Sequence, residues 1–228
     1  AMPKGGVSNR SVKALNVLPG QSKLGDKRFK FQTFQQLINR ADISREVYRD
    51  TSKPLLEPAD GAESFFQQYL ADWSGLNLTE DYSEFAAEVY PLCQSLGQLL
   101  HYRKKVVQAV FARLERPGCT AYIALLDLLT HLARDLRDEF WPFFPDAVRA
   151  VTVVLDSAPD ELVGATADAE LFTSAFKTLA YLAKYLLRQL LEESDRILPI
   201  YRPLLGHAKQ HVRDFAGESL AFLIRKIA

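Results

Sequence analysis

The sequence has 228 residues, with 28 Lys and Arg balanced by 28 Asp and Glu, 48% hydrophobic and 25% charged. That apolar fraction excludes a disordered or collagenous chain, and the length suffices for one or two cored domains. Two cysteines, Cys93 and Cys119, without a CxxC motif, supply neither a disulfide framework nor a zinc site. Every apolar stretch meets a charge, Pro or Gly well before the roughly 18 residues a membrane span needs, so no membrane partner is expected.

The neutral total hides an asymmetry. Residues 1–30 hold Lys4, Arg10, Lys13, Lys23, Lys27, Arg28 and Lys30 against Asp26 alone, a net +6, while the other 198 residues carry 21 basic and 27 acidic side chains, a net −6. With Gly5, Gly6, Pro19, Gly20 and Gly25 interspersed, residues 1–28 read as a flexible basic arm, and residues 29–228 as a helical-repeat domain. Seven cations on such a segment suit weak, salt-dependent and sequence-independent RNA binding through phosphates. Gly20-Gln-Ser-Lys-Leu-Gly25-Asp26-Lys27 has the outer spacing of a phosphate loop, but Asp26 stands where the phosphate-reaching Lys belongs, and no Ser or Thr follows for magnesium.

From Phe29 onward the period is helical. Phe31, Phe34, Leu37 and Ile38 mark a short helix, and the Pro-rich stretch 51–61 a loop. Phe65, Phe66, Tyr69, Leu70 and Trp73 mark a second helix, and a third opens at a Thr79 cap with Glu80 and Asp81 in its first turn. Val106, Val107, Val110, Phe111 and Leu114 mark another, ended by Pro117-Gly118. No alternating run longer than four residues predicts a strand, so the fold class is all-α.

The second half repeats itself. Leu129, Leu179 and Leu220 align, as do Leu132, Leu182 and Leu223, the bases Arg134, Lys184 and Arg225, and Leu136, Leu186 and Ile227. An amphipathic helix precedes each of the last two segments, at 143–155 and 197–205, so the repeating unit is a helix pair. Pairs recurring every 41 to 50 residues predict a HEAT/armadillo-like α-solenoid of antiparallel helix pairs, because one pair cannot bury its apolar face alone. The last unit has the HEAT proline (Pro199), the Val212-Arg213 pair and the small Ala216, but His207 stands where that consensus carries an acid, which puts its Asp-to-Arg ladder in question. The final helix lacks a polar cap, so the chain reads as the N-terminal part of a longer solenoid, with Phe222, Leu223 and Ile227 expected on an apolar end face.

Catalytic signatures are missing. His207 and His211 lie four apart without a third ligand, so no metal is expected; Glu192-Glu193 reads as a solvated face, Cys93 and Cys119 as buried inert thiols, and no cofactor is implied. The aromatic run Phe140-Trp-Pro-Phe-Phe144 reads as packing at a junction between helix pairs. Should RNA bind the helical body instead of the arm, Arg188, Arg196, Arg202, Lys209 and Arg213 are the next candidates.

A more specific resemblance rests on motifs in order: Phe29-Lys-Phe-Gln-Thr-Phe, Leu76-Asn-Leu-Thr-Glu, Cys93-Gln-Ser-Leu, Leu125-Leu-Asp-Leu, Leu132-Ala-Arg-Asp-Leu, Phe140-Trp-Pro-Phe-Phe-Pro, Leu179-Ala-Tyr-Leu-Ala-Lys-Tyr-Leu and His211-Val-Arg-Asp-Phe-Ala-Gly-Glu-Ser-Leu. From about Lys27 to the end, the sequence resembles the N-terminal region of the U-three small nucleolar RNA-associated protein twenty family, also called down-regulated in metastasis. These are very large HEAT-repeat components of the small-subunit processome. The resemblance implies a non-enzymatic nucleolar, hence nuclear, scaffold of the 90S pre-ribosome. That scaffold supports pre-18S ribosomal RNA processing and small-subunit assembly. Its partners would be processome proteins, the remaining HEAT repeats, and pre-ribosomal or small nucleolar RNA. The alternative is another HEAT adaptor, of the transport-receptor or phosphatase-scaffold type, which shares the repeat but not these ordered motifs.

Overall fold

Residues 64–157 and 167–227 are described by a computed structural model and, among them, every regular element is a helix. The first predicted helix, the loop at 51–61 and the basic arm lie outside the described residues. Helix α1 (Phe65–Leu76) starts on Ser64, whose Oγ accepts from the Gln67 amide at 3.1 Å. Helix α2 (Glu80–Val89) starts on Thr79 as its sequence predicts, and buries Tyr82, Phe85 and Val89 at i, i+3 and i+7. Helix α3 (Leu96–Leu114) begins ten residues before its strongest apolar run. Its start is a capping-box variant: Ser95 Oγ accepts from the Gln98 amide at 3.2 Å while Gln98 Oε1 accepts from the Gln94 amide at 2.9 Å.

The turn after α3 contains Pro117 and then Gly118 at φ 73°, a conformation that glycine adopts without a Cβ penalty. Helix α4 (Tyr122–Leu136) follows, then a 3-10 segment at Arg137–Phe143, helix α5 (Phe144–Asp156), helix α6 (Ala167–Tyr185), a short α7 (Leu187–Glu192), helix α8 (Ile197–Leu205) and helix α9 (Gln210–Ile227). The predicted aromatic junction is a core feature. Phe140 and Phe144 are fully buried, and Trp141 stacks on Phe144 at 5.4 Å and donates its indole N–H to Glu193 at 2.9 Å.

The helices pack in neighbouring pairs. Helices α3 and α4, α5 and α6, and α8 and α9 pack as successive pairs. Within one row α3 touches α5 and α5 touches α8; within the other α1 touches α4, α4 touches α6, and α6 touches α9. The aligned leucines lie on helices of this second row. Leu129, Leu132, Leu179, Leu182 and Leu223 are buried and Leu220 partly so, as equivalent positions on stacked helices require.

The expected apolar end face is differently composed. Phe222 and Leu223 are buried, with Phe222 edge-on to Phe176 at 5.8 Å, because that face of α9 is turned back onto α6. The exposed apolar side chains at this end are Leu198 and Leu205 of α8, seven residues apart and so on one face, and Ile224 of α9.

Candidate functional site

Helix α4 is flanked by α1 and α6, and ten of its residues are buried. A helix in that position needs apolar side chains on nearly every face, yet Asp127, Thr130, His131 and Arg134 run along it at i, i+3, i+4 and i+7. They form the floor of a groove of about 310 Å³, with Tyr69 of α1 on one wall and Ser174, Lys177, Thr178, Tyr181 and Tyr185 of α6 on the other.

The floor is fixed from both sides. The Leu126 carbonyl accepts from Thr130 Oγ1 at 3.2 Å and from Thr178 Oγ1 at 3.1 Å, which draws α6 against α4. Trp73 of α1 donates its indole N–H to Asp127 Oδ2 at 2.8 Å, and His131 Nε2 lies 3.7 Å from Asp127 Oδ1. Burial works to raise the Asp127 carboxyl, but the neighbouring His131 imidazole and the Trp73 hydrogen bond outweigh it and hold the group below the ordinary carboxylate value. Tyr69 stacks on His131 with ring centroids 3.4 Å apart and 19° between planes, and Tyr181 stacks on Tyr185 at 5.9 Å. The Arg134 guanidinium lies 3.4 Å over the Phe65 ring. Neither Arg134 nor the exposed Lys177 makes an ion pair among the described residues.

Next to Arg134 on α4, Asp135 reaches back to the start of α1. It accepts from Ser64 Oγ at 2.7 Å and from the amides of Phe65 and Phe66 at 3.2 and 2.8 Å, capping a helix 70 residues away in sequence. Burial pushes its carboxyl up, against these hydrogen bonds.

The sequence-derived candidates fare unevenly. Lys4, Arg10, Lys13, Lys23, Lys27, Arg28 and Lys30 lie outside the described residues. Of the second set, Arg188 pairs with Glu192 at 3.0 Å and Arg196 pairs with Glu193. Glu193 also accepts from Trp141, so this acidic pair is engaged and not merely solvated. Lys209 binds Asp156 through its carbonyl and, at 3.6 Å, its carboxylate; Arg213 donates to the carbonyls of His207 and Ala208. These two therefore tie turns together, and Asp156 meets both Lys209 and, at 3.8 Å, His207 at the junction where an Asp-to-Arg ladder was in question. Arg202 is exposed.

His211 is buried, with Nε2 2.8 Å from the Leu155 carbonyl, whereas His207 Nδ1 accepts from the Lys209 amide, so the two imidazoles serve separate contacts. Cys93 and Cys119 are buried free thiols; burial pushes Cys93 up to about 11 and raises Cys119 as well, so neither holds the thiolate a nucleophile needs near neutral pH. The groove itself escaped the periodicity reading, although its signal was present as a polar stripe inside LLDLLTHLARDL.

No protein-family profile matches the chain. Comparison with curated proteins does find relatives. The chain is similar to U3 small nucleolar RNA-associated protein 20. It is 29% identical to that protein of Saccharomyces cerevisiae over 206 residues, and 29% identical to that of Schizosaccharomyces pombe over 206 residues. The alignments cover 90% and 89% of this chain but 8% of each relative, so the chain spans under a tenth of the length of the curated relatives it matches. Among the described residues no helix is long and apolar enough to cross a membrane.

Proposed function

We propose that this chain is a segment of a non-enzymatic scaffold of the small-subunit processome, acting in the nucleolus in the processing of precursor 18S ribosomal RNA and the assembly of the small ribosomal subunit. The observation that carries this reading is similarity along nine tenths of the chain to proteins whose name associates them with the U3 small nucleolar RNA. In this reading the two helix rows are part of a HEAT-like solenoid, and α8 offers Leu198 and Leu205 to the next helix pair of a longer protein. Helix pairs of this kind present long surfaces for docking proteins, while the basic residues Lys4, Arg10, Lys13, Lys23, Lys27, Arg28 and Lys30 contribute phosphate contacts.

The test is replacement of the endogenous full-length protein by a version lacking residues 64–227 of this segment. Northern analysis should show precursors of the 18S ribosomal RNA accumulating and mature 18S falling, with large-subunit RNAs unaffected. Normal 18S maturation with the shortened protein present at ordinary abundance would contradict the proposal.

A further inference from the structure

We propose that the groove over α4 holds a nucleotide of single-stranded RNA, with phosphate on Arg134 and Lys177 and a base against the Tyr69 and Tyr181 rings. The inference deepens the ribonucleoprotein role proposed above and rests on it. The first support is charge. Of the body's net −6, residues 64–157 and 167–227 account for only −2, with 17 basic and 19 acidic side chains, so acidity is no barrier on these helices. Within the groove the one carboxylate, Asp127, is already held by Trp73 and His131, whereas Arg134 and Lys177 have no acidic partner among the described residues.

The second support is the character of the lining. Two stacked aromatic pairs, Tyr69 with His131 and Tyr181 with Tyr185, border the groove, and none of its lining side chains is aliphatic. A docked amphipathic peptide helix uses apolar anchors at helical spacing, which this surface does not match. Cations beside aromatic faces and hydroxyls are what unpaired bases and their phosphates use. His131 Nδ1 also lies buried without a hydrogen-bond partner, a polar atom that the fold itself leaves unsatisfied.

Photo-cross-linking of the full chain to a short 4-thiouridine oligoribonucleotide, with adducts located by mass spectrometry, tests this. Adducts are expected at Tyr69 and Tyr181. Lys177→Ala, at an exposed position that the fold does not need, should weaken binding several-fold and lower the salt slope by about one. Tyr181→Ala should weaken it by about tenfold, with an unchanged circular dichroism spectrum. Adducts confined to residues 1–28, with unaltered affinity in both variants, would overturn the groove assignment and leave the processome role standing. Lys177-dependent binding of an oligo-aspartate peptide without adducts at either tyrosine would overturn it in favour of a protein occupant. Failure of the unaltered chain to bind the oligoribonucleotide even at low salt would overturn the assignment together with any direct RNA contact by this segment.

Discussion

Asp127 and Asp135 stand eight residues apart on α4 and titrate in opposite directions. Asp127 is held low, so its contribution to stability is present above its unfolded value near 3.8 and is lost as pH falls through its folded value. Asp135 is pushed up by burial, so its ionisation opposes folding, and its contribution is greatest below the unfolded value and declines as pH rises through the folded one. Thermal melts at steps between about pH 3 and 6 should therefore show Asp127→Asn losing stability relative to the parent at pH 6 and converging with it in acid. Asp135→Asn should lose ground in acid and recover as pH rises. Removing the Asp135 cap outright is a different matter: Asp135→Ala leaves the half-buried Phe65 and Phe66 amides without their acceptor and should cost about 1–3 kcal/mol in denaturant titration. A cost near zero would mean that water takes over the cap.

At the scale of elements, stacking of equivalent helices makes specific demands on the aligned leucines. Leu182, with no exposed surface, belongs to α6, which packs against both α4 and α9, and its truncation to Ala should cost about 2–5 kcal/mol by chemical denaturation. Leu223→Ala should fall at the lower end, because α9 lacks a further helix on its outer side among the described residues. Equal and negligible costs would show the repeat alignment to be wrong. Much of this order was legible in the sequence: the Thr79 cap, the Pro117-Gly118 stop and the leucine repeat each state a local physical requirement. What was not legible depended on pairing between distant elements. Asp135 caps a helix 70 residues away, and Phe222 faces inward because α6, not solvent, lies on that side of α9. The early start of α3 was readable in Ser95-Leu-Gly-Gln98, where the capping box outranks the thin apolar pattern of its first turns.

For the molecule as a whole, the neutral charge is the sum of +6 over residues 1–30 and −6 over the rest, of which residues 64–157 and 167–227 carry only −2. In the role proposed above, long-range attraction to nucleic acid is assigned to the basic residues 1–30 and positioning to the groove between α1 and α6. The polar stripe on α4 was visible in the sequence but not interpretable there, because a polar stripe becomes a site only when two neighbouring helices leave it uncovered. The central claim is membership of a pre-ribosomal particle. Its most direct test is affinity purification of the full-length protein from nuclear extract, with sequencing of the bound RNA and mass spectrometry of the bound proteins. Precursor 18S ribosomal RNA and the U3 small nucleolar RNA, together with small-subunit processome proteins, are the predicted result. Recovery of transport factors or phosphatase subunits without those RNAs would contradict the account.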